Sequence, residues 1–263
     1  MSVKKLAVQA AAKSKVAAKS KAAAKPRKAS PVTSTSPRNL RNATWNINSV
    51  RNRLEPVAPF IAQWQPDVLC LQETKCPDEH FPAETFRNLG YEQQAIRGQN
   101  SYTGVAILAK VPLAGISGEA WCGKQDCRHL LAVLPGDIEL HNFYVPAGGD
   151  IPDTALNPKF AHKLDFLRDM RTWFAGKPGQ AQARRILVGD LNVAPLETDV
   201  WSHKALLKVV SHTPVEVELM DALQASHRWV DAVRHFIPPE EKLYSWWSYR
   251  SPDWAAADQG RRL

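Results

Sequence analysis

In this 263-residue sequence, a few carboxylates, amides and hydroxyls stand where short apolar runs end. Side chains of those types can hold a hard cation, a phosphate or a water. The most informative stretch is Arg185-Ile-Leu-Val-Gly-Asp190-Leu-Asn192-Val-Ala-Pro195. Its continuous apolar run, Ile186 to Val188, predicts a short strand buried on both faces. Gly189 allows a close approach of the backbone, and Pro195 stops the strand. The strand period of two puts Asp190 and Asn192 on one face, with Leu191 pointing away. An ordinary strand–turn junction closed by an Asx turn would use the same residues.

Three other polar groups follow apolar strands. Ala43-Thr-Trp45-Asn46-Ile47-Asn48 reads as a strand with Asn46 and Asn48 on one face. Val68 to Leu71 reads as a second buried strand, with Glu73 just beyond it. Ile138 to Tyr144 reads as a third, delivering Tyr144. The carboxyl ends of strands are where α/β sheets build their sites. The set holds two carboxylates and no activated Ser or Cys. Its oxygen ligands suit Mg²⁺ or Mn²⁺, which keep several waters and bind phosphate oxygens. A metal polarising a phosphodiester while one carboxylate orients water is a chemically sensible use.

The remaining elements must position these groups. Leu54, Val57, Ile61 and Trp64 recur at helical spacing, and Gln65-Pro66-Asp67 ends that helix. Phe160, Leu164, Leu167, Met170 and Phe174 mark a second helix, with further helical stretches near 203–209 and 215–225. Val105 to Ala109 reads as a strand. His129 to Leu134 and Ile138 to Tyr144 flank Pro135-Gly136-Asp137, a hairpin signal. Leu243 to Tyr249 is aromatic and strand-like. Helices alternate with strands and hairpins also occur, so the sheets should be mixed or antiparallel.

Composition divides the chain in two. Residues 1–38 carry eight Lys and two Arg with no acid, and the first acidic residue is Glu55. That leaves 24 of the 34 basic residues against all 26 acidic ones, so the net charge of +8 belongs to the Lys/Ala-rich tail. With no apolar stripe to dock, the tail reads as a disordered segment, and residues 39–263 as the folded part. A nucleic-acid arm, an organelle transit peptide and a solubilising tail are the readings of the segment. Cys70, Cys76, Cys122 and Cys127 follow no secreted scaffold, and their spacing is loose for zinc, so they read as reduced structural thiols. His141, His162 and His227 have no motif behind them and read as structural. No apolar run approaches the roughly 18 residues of a membrane span.

Six segments in register resemble the exonuclease III class of apurinic/apyrimidinic endonucleases. They are Trp45-Asn-Ile-Asn-Ser-Val-Arg51, Leu71-Gln-Glu-Thr-Lys75, Gly104-Val-Ala-Ile-Leu, Asn142-Phe-Tyr-Val-Pro-Ala-Gly148, Gly189-Asp-Leu-Asn-Val-Ala-Pro195 and Tyr244-Ser-Trp-Trp-Ser-Tyr-Arg250. That class lies in the endonuclease/exonuclease/phosphatase superfamily with DNase I, and the resemblance covers about residues 40–263. It implies a DNase I-like four-layer α/β sandwich of two mixed sheets flanked by helices. It further implies Mg²⁺- or Mn²⁺-dependent cleavage of double-stranded DNA 5′ to abasic sites, with 3′→5′ exonuclease and 3′-phosphatase activity as common additions. The implied protein is a monomer with no membrane partner, placed in the cytoplasm or nucleoid, or in an organelle or nucleus if the tail is a targeting segment.

The resemblance also implies roles for residues. Glu73 would be the principal metal carboxylate with Asn46 beside it, and Asp190 and Asn192 would complete the metal set. Asp190 would orient or deprotonate the attacking water, Asn192 would hold that water or the phosphate, and Tyr144 would contact the phosphate. Arg128 would pair with the DNA backbone, the other reading being a surface ion pair. Trp246 would wall a pocket for an extruded sugar, the other reading being core packing. Asn48 and Lys75 would be support. The family has a further Asp and a Ser-Asp-His segment on strands beyond the equivalent of Leu263, which this sequence does not include. The rival readings are therefore an inactive DNA-binding remnant and a superfamily phosphatase acting on small or lipid phosphates.

If the tail is a nucleic-acid arm, it carries the non-specific affinity for DNA. Each neutralised phosphate adds about 0.9 to the slope of log affinity against log salt. Deleting residues 1–38 should lower that slope by several units in a duplex-binding titration, and an unchanged slope would leave the tail as a solubilising or targeting segment.

Overall fold

The computed structural model describes residues 39–100, 102–177, 184–248 and 253–263. The basic tail and the end of the aromatic segment, Tyr249 and Arg250, lie outside the described residues. The described strands form two sheets of four. β1 (Asn42–Asn46), β2 (Val68–Gln72), β3 (Gln93–Arg97) and β4 (Val105–Ala109) make the first, in the spatial order β1-β2-β4-β3. β5 (Ala114–Ser117), β6 (His129–Leu134), β7 (Ile138–Tyr144) and β8 (Arg184–Asp190) make the second, in sequence order. Both sheets are mixed. β1 runs parallel to β2 and β7 parallel to β8, while the other pairs are antiparallel.

Strand periodicity sorts the core into layers. In β2, Val68 and Cys70 face the second sheet while Leu69 and Leu71 face away, and all four are fully buried. Between the sheets, Val105, Ile107 and Ala109 of β4 meet Leu130, Ala132, Leu140, Tyr144 and Val188. Outside the first sheet, α1 (Leu54–Trp64) and α2 (Ala83–Asn88) cover Leu69, Leu71, Ala106 and Leu108 through Val57, Ile61 and Phe86. Outside the second, α3 (Pro158–Ala175) covers Phe143 through Phe166, Leu167, Met170 and Phe174. The short α4 (His203–Leu206), then α5 (Pro214–Ser226) and the short α6 (Trp254–Ala257) complete the described helices. The order helix, sheet, sheet, helix is the expected four-layer sandwich. Among the described residues no helix is long and apolar enough to cross a membrane.

Several expectations need correction. β8 is not fully buried: it is an edge strand among the described residues, none of its residues is in the buried class, and Ile186 is 36% exposed. Trp64 completes the spacing of α1 but is 53% exposed, because the helix ends there in a left-handed Gln65. Residues 243–248 form no strand. Ser245 and Trp246 both donate their N–H groups to the single Arg261 carbonyl, which allows one bridge rather than a ladder. All four cysteines are free thiols, Cys70 and Cys76 being buried.

The outer face of the second sheet carries a histidine pair. Glu119 N–H donates to His129 Nδ1, so His129 Nε2–H donates to His141 Nδ1 at 3.1 Å. His141 Nε2 then lies 3.7 Å from a Glu139 oxygen, too long for a hydrogen bond. Burial holds both rings neutral, drawing His129 down to about 2 and His141 to about 4. An unfolded chain takes up these protons below the ordinary value of about 6.5, so stability is lost as pH falls through that value toward the folded ones. The expected loss is roughly 1 kcal/mol per pH unit for each ring, measurable by urea unfolding between about pH 7 and pH 5. In His141→Phe, which keeps the stack without the charge, the pH slope should fall by about half.

Candidate active site

Each sheet contributes one parallel strand pair whose carboxyl ends carry the polar groups. In β1, Ala43 and Trp45 pack outward, so Asn46 faces inward. In β7 and β8, Tyr144 and Val188 face inward, and Asp190 shares the parity of Val188. The pairing register sets Tyr144 beside Asp190 and Asn46 beside Gln72, one residue before Glu73. The period of two thus aims side chains from both sheets into the end of the cleft between them.

These side chains meet. Asn46 Nδ2 donates to Glu73 Oε1 at 3.0 Å and to Asp190 Oδ2 at 2.7 Å. Tyr144 OH donates to the same Glu73 Oε1 at 2.6 Å. Lys75 Nζ lies 2.7 Å from Glu73 Oε2 and 2.6 Å from Asn48 Oδ1. Two carboxylates from different sheets therefore converge on one amide, with a phenol and an ammonium beside them.

The turns after the strands differ from the expected alternation. Neither Asn48 nor Asn192 lies in a strand, for both take left-handed backbone at φ +46° and +53°. Asn48 N–H donates to Asn46 Oδ1 at 3.1 Å, and Asn192 N–H to Asp190 Oδ1 at 3.1 Å. The Asx turn is thus used twice, and it holds each strand-end side chain in place. The Asn192 side chain donates to Val145 O at 2.9 Å. Gly189 is required where it stands, because a Cβ there would sit 1.9 Å from the Phe143 carbonyl oxygen.

The two carboxyl groups have been driven apart in acidity. Burial works against ionised Glu73, but hydrogen bonds from Asn46, Lys75 and Tyr144 outweigh it and hold the group below the usual glutamate range. Burial pushes Asp190 above the usual aspartate range, and the charge of Glu73 adds to that push against the donors Asn46 and Asn192. Burial and the charge of Glu73 also push the Tyr144 phenol up, so it stays a donor. A pair of carboxyls separated in this way can supply one permanent charge and one proton acceptor. Two carboxylates and two amides, without Cys or His, form a donor set for a hard cation that keeps several waters. Among the described residues no group of three or more His, Cys, Asp or Glu side chains is placed to hold a metal ion.

Arg128 and Trp246 are placed differently. Arg128 forms an ion pair with Asp126 at 2.5 Å, and both side chains are mostly buried rather than at the surface. Its guanidinium also donates to Tyr144 O at 3.2 Å and lies over the Tyr144 ring. Trp246 is half-buried under the Arg261 guanidinium and shares no hydrogen bond with the Asn46–Glu73–Asp190 group among the described residues. Sequence reading gave no role to Asp126, nor to Asn142, which bonds Leu71 O and Ala106 O across the sheets. It also passed over Lys163, whose signal was a charge on the same helical face as Phe160, Leu164 and Leu167.

The sequence profile of the Endonuclease/Exonuclease/phosphatase family matches residues 43–263. Exodeoxyribonuclease III of Haemophilus influenzae is 30% identical over 219 residues, which is 79% of this chain and 80% of that protein. Recombination repair protein 1 of Drosophila melanogaster is 29% identical over 215 residues, 80% of this chain but 30% of its own length. The structure of an AP endonuclease from Archaeoglobus fulgidus superposes with a TM-score of 0.76 at 28% identity, covering 85% of this chain and 84% of that one. The two-sheet sandwich described above is the DNase I-like fold of that enzyme.

The shared amide makes a direct prediction. In a carbon-13 carboxyl titration, Glu73 should titrate below and Asp190 above their ordinary ranges, and Asn46→Ala should move both upward by removing a donor from each. An Asp190 signal in the ordinary range, unmoved by Asn46→Ala, would contradict the cross-sheet contact.

Proposed function

The chain belongs to the Endonuclease/Exonuclease/phosphatase family, and from that premise we propose that it is a DNA-repair phosphodiesterase that cuts the backbone 5′ to abasic sites. A monomer working with Mg²⁺ or Mn²⁺ on double-stranded DNA is the form proposed, with 3′→5′ exonuclease activity as an accompaniment. The observation that carries this reading is the convergence of Glu73, Asp190, Asn46 and Tyr144 on one point at the end of the inter-sheet cleft. A site of that kind, with oxygen and amide groups but no nucleophilic Ser or Cys, suits attack by water on phosphorus.

In the proposed mechanism Glu73, already ionised, and Asn46 would hold the cation, and Asp190 and Asn192 would complete its protein ligands. The cation when bound supplies neutralisation of the phosphodiester charge. Asp190 orients the attacking water and takes its proton, which its raised proton affinity favours. Asn192 holds that water or a phosphate oxygen. Tyr144, kept protonated, donates its hydroxyl to a phosphate oxygen. Arg128 stacks on the Tyr144 ring and binds its carbonyl, so it orients Tyr144. Trp246 walls the pocket for the extruded sugar.

The test is incision of a duplex carrying one abasic-site analogue, in Mg²⁺. Asp190→Asn and Glu73→Gln should each lower kcat by about 100-fold or more with little change in duplex affinity, and chelation should abolish cutting. A wild-type chain that binds the duplex and leaves it intact would identify a binding protein instead. Asp190→Asn cutting at the wild-type rate would remove Asp190 from the role of base.

A further inference from the structure

Lys163 lies on the buried face of α3 with Phe160, Leu164 and Leu167, and its side chain is fully inaccessible to water. A buried ammonium is costly unless it is paired and hydrogen-bonded, and an apolar side chain of similar volume would fill the place at no such cost. Its partners show what the charge is for. Nζ forms an ion pair with the equally buried Glu216, donates to Asn192 O at 2.6 Å, and lies 3.4 Å from Ala147 O. The last two carbonyls belong to the turns that leave β8 and β7. Those are the turns behind Asp190 and Tyr144.

Resting on the site reading given above, we propose that Lys163, paired with Glu216, is a positioning residue that locks these two turns together and so sets the placement of Asp190, Asn192 and Tyr144. The ammonium donates no hydrogen bond to the three side chains; it holds the turns through main-chain carbonyls, and its charge also favours ionised Asp190. Its stem is fixed as well: a Cβ on Gly148, at φ +88°, would lie 2.8 Å from Lys163 Cδ, so this glycine leaves room for the lysine. Beside it, Asn192 Nδ2 donates to Val145 O at 2.9 Å and Val145 N–H to Asp190 O at 2.9 Å. Together the contacts strap one turn to the other.

Glu216 in turn has a fixed position. Its carboxylate accepts from Ser211 N, Thr213 N and Thr213 Oγ1 at 2.7–3.1 Å at the start of α5. Ser211 O accepts from Ala194 N–H at 2.8 Å, and His212 Nδ1 lies 2.7 Å from Ala194 O. The segment Asp190–Ala194 is therefore held on one side by Lys163 and on the other by the loop that Glu216 organises. Asn192, a non-glycine residue in left-handed backbone, sits where both supports act. Such a conformation is sparsely populated and persists when its surroundings over-determine it.

The experiment compares Lys163→Met with the double variant Lys163→Met/Glu216→Gln in the full chain. It reads the unfolding midpoint, kcat and KM on the abasic duplex in Mg²⁺, and amide exchange across residues 186–195. The single variant leaves a buried carboxylate without its counter-ion and should unfold at lower denaturant. The double variant removes that charge, keeps a carbonyl for the Ser211 and Thr213 amides, and should regain most of the stability. If Lys163 positions the turns, the double variant still has kcat about 100-fold down with KM within about threefold of wild type, and faster exchange at Asn192. Recovery of kcat and of amide protection together with stability would overturn the proposal and leave the pair a fold-stabilising one. A wild-type chain that does not cut would count against the proposed function alone, and exchange at Asn192 in the double variant would still decide the part played by Lys163.

Discussion

One amide nitrogen, Asn46 Nδ2, stands between carboxylates that arrive from different sheets. Two like charges brought to one partly buried point repel, and the repulsion must be met locally or one group gives up its charge. Here it is met unequally. Glu73 takes the donors, Lys75 and Tyr144 as well as Asn46, and stays ionised. Asp190 is more deeply buried, has donors in Asn46 and the Asn192 amide among the described residues, and its proton affinity rises. The difference in acidity between the two carboxyls therefore follows from burial and from who bonds whom.

That contact exists only if the carboxyl ends of two separate sheets coincide. Each sheet places its one parallel pair, β1 with β2 and β7 with β8, so that both members end on the same side. Stacking is held in register by polar groups inside the apolar layer. Asn142 on β7 donates to the carbonyls of Leu71 and Ala106, and Gln72 donates to Asn142 and Thr44. Apolar contacts alone would tolerate sliding of one sheet over the other; directional bonds at full burial do not, because a displaced partner would be left unsatisfied. The same logic, a buried polar group fixing a position that packing leaves loose, recurs in Lys163 and Glu216.

Much of this could be read from residue order. Val68 to Leu71 and Val105 to Ala109 are buried on both faces as their unbroken apolar runs require, and the Phe160-to-Phe174 spacing gives α3. Glu73, Tyr144 and Asp190 were visible because each follows an apolar strand. Alternation failed where the chain leaves the strand. Asn48 and Asn192 take left-handed backbone, and a local Asx bond competes with the strand there, so counting by twos no longer tells where a side chain points. It failed again at Ile186, where a run that looks doubly buried is only partly covered and Ile186 itself is exposed. Lys163 and Asn142 escaped notice because polar residues within apolar stripes declare their partners only through contacts far along the chain.

We propose that one site, assembled from both sheets, holds a divalent cation. Titration of Mn²⁺ by electron paramagnetic resonance tests it in wild type, Glu73→Gln, Asp190→Asn and the double variant. If both carboxylates face one ion, each single substitution should weaken binding by at least about tenfold, and the double should lose clearly less than the sum of the two in free energy. Wild-type affinity in either single variant, or strict additivity between them, would mean that Glu73 and Asp190 do not share an ion and that the convergence of the two sheets serves some other purpose.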